Sequence, residues 1–203
     1  MQDAKFREMK RSWQRKAARA AGLKLAPGDL GTLQAFVNTV AHGKKGDELA
    51  DVEKLGRWLV RHRLLDAGTI LGETERRRAL DARRGFRVLM LGNSGVEVDE
   101  EAVQRLERAA EGGRLAVRFD SGGPGGFGPA SGGFDDALGA LAAIVATARL
   151  EGLWPQMKLC ARKGCGRAFF DASASRTGVW CSPQCGDRVR RAAHVRRKKQ
   201  SPR

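Results

Sequence analysis

No stretch of the 203 residues stays apolar for the about 18 positions a helix needs to cross a bilayer, so a membrane-spanning reading is excluded. The opening residues, MQDAKFREMKRSWQRKAARAAG, lack the apolar centre of a secretory signal, which predicts a cytoplasmic chain with reduced thiols. Histidine is scarce: His42, His62 and His194 lie far apart, and none has a second ligand at metal spacing. No repeat of solenoid length occurs. No nucleophile, base and oxyanion-donor set can be assembled, so the chain is read as not an enzyme. Its length allows one ordinary domain and a small appended module.

Positive charge is what the sequence has in excess, with a formal net charge of +15. Residues 1–24 carry eight Lys/Arg against Asp3 and Glu8, net +6, and residues 158–203 carry thirteen against Asp171 and Asp187, net +11. The middle, 25–157, is therefore 15 − 6 − 11 = −2. A near-neutral body with cationic ends points to a polyanion gripped by those ends. Nucleic acid comes first and an anionic membrane surface second, against the bland alternative of solvated basic tails. These shifts predict a basic segment at 1–26, a helical domain at 27–152 and a cysteine-bearing module at 153–203.

The elements follow from periodicity. Phe6, Met9, Trp13 and Ala17 predict a basic first helix ending near Gly22. Asp29 is placed to cap a helix with Leu30, Leu33, Val37 and Val40 inward, stopped by Gly43, and Asp47 to cap the next, with Leu49, Val52, Leu55 and Leu59 inward. A long arginine-rich helix is expected from Glu73 to Leu91, and another from Asp99, whose early acids suit the helix dipole. RLAVRFD alternates as a strand with Leu115, Val117 and Phe119 inward. SGGPGGFGPASGG follows as a hairpin loop, with a return strand near Phe127. That loop has no Gly-Lys-Ser/Thr ending, and its prolines remove N–H donors, so it is not read as a phosphate cradle. A last helix of the body spans Phe134 to about Gly152.

All four cysteines fall in the C-terminal module, as Cys160-x4-Cys165, fifteen residues, then Cys181-x3-Cys185. Two close pairs joined by such a loop suit a four-thiolate metal site, with a disulfide pair and free thiols as the alternatives. Thiolates alone do not choose zinc over iron. Gly164 and Gly166 permit a tight turn about Cys165, and Ser182-Pro183 reads as N-cap and first residue of a helix whose first turn holds Cys185. Phe169, Phe170 and Trp180 supply a small core that a metal would staple. Four thiolates leave no open coordination position, so the site is structural, and the His-x-Glu of a nucleobase deaminase is missing. One zinc ion changes the module's charge by +2 − 4 = −2, leaving about +9. Beyond Cys185, Arg188, Arg190, Arg191, His194, Arg196, Arg197, Lys198 and Lys199 are the candidate nucleic-acid contacts.

FFDAS…WCSPQCGDRVRRAAHVRRKK resembles the CGNR zinc finger, and AFVNTV with LGRWLV resembles the ABATE domain that precedes that finger in bacterial proteins. The resemblance runs from about residue 30 to the C-terminus. It implies a stress-induced transcription regulator with a DNA-binding finger, Cys160, Cys165, Cys181 and Cys185 as zinc ligands, and Arg188 and Arg190 in the basic helix. The tetrad here is Cys185-Gly186-Asp187-Arg188, with Asp in place of Asn. An ionised Asp187 donates no hydrogen bond and would repel a phosphate, although it caps a turn as well as Asn does.

The expected fold is thus mainly α (α+β): a helical N-terminal domain with a small β-hairpin, then a four-cysteine zinc finger ending in a basic helix. The expected function is a bacterial regulator that binds duplex DNA, its N-terminal domain sensing a small-molecule effector or forming a homodimer. Asn38 and Thr39 are the candidate pocket residues, although a buried, locally satisfied polar pair is the stronger reading of them. The alternative function is a module that binds RNA or an acidic protein.

Overall fold

The computed structural model describes residues 22–40, 46–119 and 126–200, the last two as backbone only. The predicted first helix and the loop at 43–45 lie outside them. The chain forms two compact units, one of Pro27–Pro155 and one that joins the chain up to Ala26 with Gln156 onward.

The Pro27–Pro155 unit holds helices α1 (Leu30–Val37), α2 (Val52–Arg61), α3 (Glu73–Gly92), α4 (Glu100–Ala110) and α5 (Phe134–Leu150). Strands β1 (Leu115–Arg118) and β2 (Gly126–Pro129) sit between α4 and α5 as an antiparallel pair, Val117 opposite Phe127. Phe36 on α1 meets the Trp58 ring edge-on at 5.3 Å and the Phe86 ring at 6.2 Å, which joins α1, α2 and α3 through one aromatic cluster. Close approach of α3 and α4 requires Gly85, where a Cβ would stand 2.5 Å from Leu106 Cβ and 2.9 Å from the Ala102 carbonyl. Asp99 caps α4 as expected, accepting from the Ala102 amide at 3.1 Å.

Three local expectations need correction. Asp51, not Asp47, caps α2, accepting the Lys54 amide at 2.7 Å. Asp47 is taken by Arg83, whose two terminal nitrogens reach its oxygens at 2.7 and 2.8 Å. Helix α1 stops at Val37 with Asn38 as C-cap, before Val40. The strand at 115–118 forms, but its apolar residues face solvent: Leu115 is 42% exposed, Val117 58% and Phe119 85%. The cause is the anchoring of the hairpin, since the buried Asp136 carboxylate on α5 accepts the amides of Arg114 and Ser131, one beyond each strand, at 2.8 Å. Period 2 reveals a strand and not which face is covered.

The second unit contains β3 (Met157–Leu159), β4 (Ala168–Phe170) and α6 (Pro183–Gln200). β3 and β4 pair antiparallel, Met157 opposite Phe170 and Leu159 opposite Ala168. Residues 22–26 belong to this unit: the Phe170 amide donates to the Lys24 carbonyl at 3.1 Å, and the Lys24 amide to the Cys181 carbonyl at 3.4 Å. Among the described residues no helix is long and apolar enough to cross a membrane.

Candidate metal centre and basic helix

The turn between β3 and β4 carries Cys160 and Cys165. Gly164 and Gly166 adopt φ of +74° and +57°, the left-handed region open to glycine, and so wrap the chain about Cys165. The Cys160 amide donates to the Arg167 carbonyl at 2.9 Å and closes that loop. On the other side, Ser182 precedes α6 and its hydroxyl accepts the Cys185 amide at 3.4 Å, so the first helical turn is fixed around the ligand. Phe169 lies beneath the thiols, with Leu23 and Trp180 packed at the edge.

The four Sγ atoms lie within 4.8 Å of one another. Cys165 to Cys181 is 3.8 Å, Cys181 to Cys185 3.6 Å and Cys185 to Cys165 3.8 Å. Four sulfurs at about 2.3 Å from a central zinc stand about 3.8 Å apart along a tetrahedron's edges, so this donor set fits zinc, while a disulfide requires about 2.05 Å. The cysteines are free thiols. Electrostatics agree. Burial, then the thiolates of Cys160 and Cys165, push the Cys181 thiol well above its ordinary range. Burial is the largest influence on Cys185 and acts upward, but hydrogen bonds from Arg162, which donates Nε–H to Sγ at 3.2 Å, and then from Cys181, Ser182 and Cys165 together bring that thiol down to about 7. Four crowded thiolates, three of them buried, need a dication, and Arg162 orients one of them from outside the coordination shell.

From Pro183 the 18-residue helix runs about 27 Å at 1.5 Å per residue. Arg188, Arg190, Arg191, His194, Arg196, Arg197 and Lys198 are all exposed, and the Lys199 side chain lies outside the described residues. Helical period sets Arg188, Arg191 and Lys198 near one stripe with Val195, while Arg190 and Arg197 stand on another flank. Asp187 Oδ1 accepts from an Arg190 terminal nitrogen at 2.5 Å. The residue that departs from the CGNR pattern is thus engaged by its own helix.

Asn38 and Thr39 end up in the body. Thr39 is buried, its hydroxyl donating to the Phe36 carbonyl at 2.6 Å and accepting from Arg83 at 3.0 Å, and Asn38 caps α1. Sequence reasoning missed a cleft of about 740 Å³ between α3, α4 and α5, lined by residues including Phe86, Leu89, Val103, Leu106, Val145 and Arg149. It also missed Arg162 and the docking of residues 22–26 on the finger. An arginine two positions after a ligand was the one available sign of the former.

A thiolate-built finger that grows into a basic helix, together with a separate helical unit, defines a two-unit zinc-finger protein. Residues 156–198 match the CGNR zinc finger, and residues 31–152 match ABATE, described as "Putative stress-induced transcription regulator". The chain belongs to the ABATE family. A search of curated proteins finds no match to it.

Proposed function

We propose that this protein is a bacterial transcription regulator that grips duplex DNA with helix α6. The observation that carries the reading is the fusion of Cys185 to the first turn of a helix whose cations are exposed, which lets the metal centre set where those cations stand. Arg188, Arg191 and Lys198 would meet phosphates and guanine edges, and Arg190 would be partly withheld by Asp187. The Pro27–Pro155 unit would act as a sensory or dimerisation domain. An effector there would occupy the cleft between α3, α4 and α5 rather than a site at Asn38 and Thr39, because Thr39 is already satisfied.

The test titrates the full chain with random duplex DNA and with structured RNA at several salt concentrations. Six to ten phosphate contacts give a steep fall of affinity with salt. Cys185→Ser and zinc removal by chelator should each abolish binding, because the helix then loses its anchor. Failure to bind either pool sinks the reading, and tight RNA binding with weak DNA binding replaces DNA by RNA.

A further inference from the structure

The loop from Asp171 to Gly178 has a fixed backbone and an uncommitted cation at its tip. Asp171 is fully buried, and it accepts from Lys158 Nζ at 3.0 Å, the Ser173 hydroxyl at 2.7 Å and the Gly178 amide at 2.7 Å. Lys158 Nζ also donates to the Arg176 carbonyl. The Arg176 amide donates to the Ser173 carbonyl at 3.1 Å. Held at both peptide groups, Arg176 sits at φ +51°, a conformation that a side-chain-bearing residue rarely adopts. Such a position favours glycine, yet it carries an arginine.

The side chain is exposed and has no hydrogen-bond or ion-pair partner among the described residues. Its neighbours Ser175 and Thr177 are exposed too, their hydroxyls 2.9 Å apart. Residues 158–203 contain two carboxylates, Asp171 and Asp187, and Lys158 and Arg190 take them. Among the described residues of the finger, both side-chain carboxylates are thus engaged away from Arg176. Four residues on, Trp180 abuts the start of α6, since a Cβ on Gly186 would lie 3.1 Å from its Cδ1. Four residue steps span at most about 14 Å of chain, so the loop tip stays near the basic helix.

We infer that Ser175, Arg176 and Thr177 form a second nucleic-acid contact, a clip that takes one backbone phosphodiester while α6 takes others. The inference rests on the proposed nucleic-acid reading. Arginine supplies the charge, the Ser175–Thr177 hydroxyl pair keeps one O–H to donate, and the Lys158–Asp171 pair fixes the backbone before binding, so little order is lost when the phosphate arrives.

The test measures the salt dependence of full-chain binding to a random duplex for wild type, Arg176→Gly, Arg176→Lys and Arg176→Gln, with zinc content as the check on folding. Glycine is at ease at this φ, so Arg176→Gly keeps the fold and removes only the side chain. Losing one phosphate contact makes the negative slope of log Kobs against log salt shallower by about 0.9 in the Gly and Gln variants, and Lys restores it. An unchanged slope in zinc-replete Arg176→Gly, with Arg188→Gln and Arg191→Gln still weakening binding, overturns the clip and leaves the helix reading intact. Absence of salt-dependent binding by wild type overturns both.

Discussion

Asp171→Asn is the most informative single change in the finger. The wild-type carboxylate is fully buried, and its Lys158 partner's side chain is 9% exposed. Asparagine preserves volume and one acceptor oxygen, but it turns an N–H₂ toward either Ser173 or Gly178, both donors, and leaves the Lys158 ammonium buried without a counter-charge. Breaking a buried pair by removing one partner costs about 3–5 kcal/mol. Folding of a small thiolate finger and metal binding are one equilibrium, so that cost is read as lost zinc affinity. At 1.4 kcal/mol per tenfold it amounts to roughly 100- to 4,000-fold. The assay is competition for zinc between the full chain and a chelator of known affinity. Adding Lys158→Met to Asp171→Asn removes the stranded charge, so the double variant should bind zinc more tightly than Asp171→Asn alone. A single variant within tenfold of wild type would refute the reasoning, as would a double variant that loses more than the single.

Three further outcomes are expected. Gly85→Ala forces a methyl 2.5 Å from Leu106 Cβ, and overpacking of this kind costs about 1–3 kcal/mol; a thermal melt should show the loss in the Pro27–Pro155 unit and leave zinc content unchanged. Burial and then the charge of Arg61 bring the His62 imidazole, stacked on Trp58 at 4.0 Å, down from 6.5 to about 4. Between those values the unfolded chain takes up a proton that the folded one refuses. Stability of this unit should fall by no more than about 3 kcal/mol as pH drops from 6.5 to 4, and melts of His62→Gln should lack that slope. Ser182→Ala removes the hydroxyl that accepts the Cys185 amide and should weaken zinc binding by about 1 kcal/mol, near fivefold in the same competition assay.

The helices and the metal centre were legible because their signals are local. Asp99 with its acids, the cysteine spacing and Ser182-Pro183 each act within a few residues. The misread features depend on partners far along the chain. Asp47 could not be seen as the partner of Arg83, 36 positions away, so it was assigned to a cap that Asp51 fills. Arg83 itself lies inside, paired, which a run of arginines in a helical segment does not reveal. Leu115 and Val117 alternate like a covered strand, yet Asp136 anchors their hairpin with that face outward. The pairing of Lys158 with Asp171 was equally silent, since a lysine and an aspartate thirteen positions apart carry no periodic signature.

The docking of Leu23 and Lys24 on Phe169, Phe170 and Cys181 makes residues 27–155 an insertion within the finger's own unit. During synthesis the segment at 22–26 emerges first and must wait for the cysteines, while the helical body between them is made and can fold. A folded insert brings its two ends under structural control and shortens the effective loop that the finger has to close. Metal capture is thereby placed last in the order of assembly, and a fragment starting at Gln156 would load zinc without the segment that completes its core.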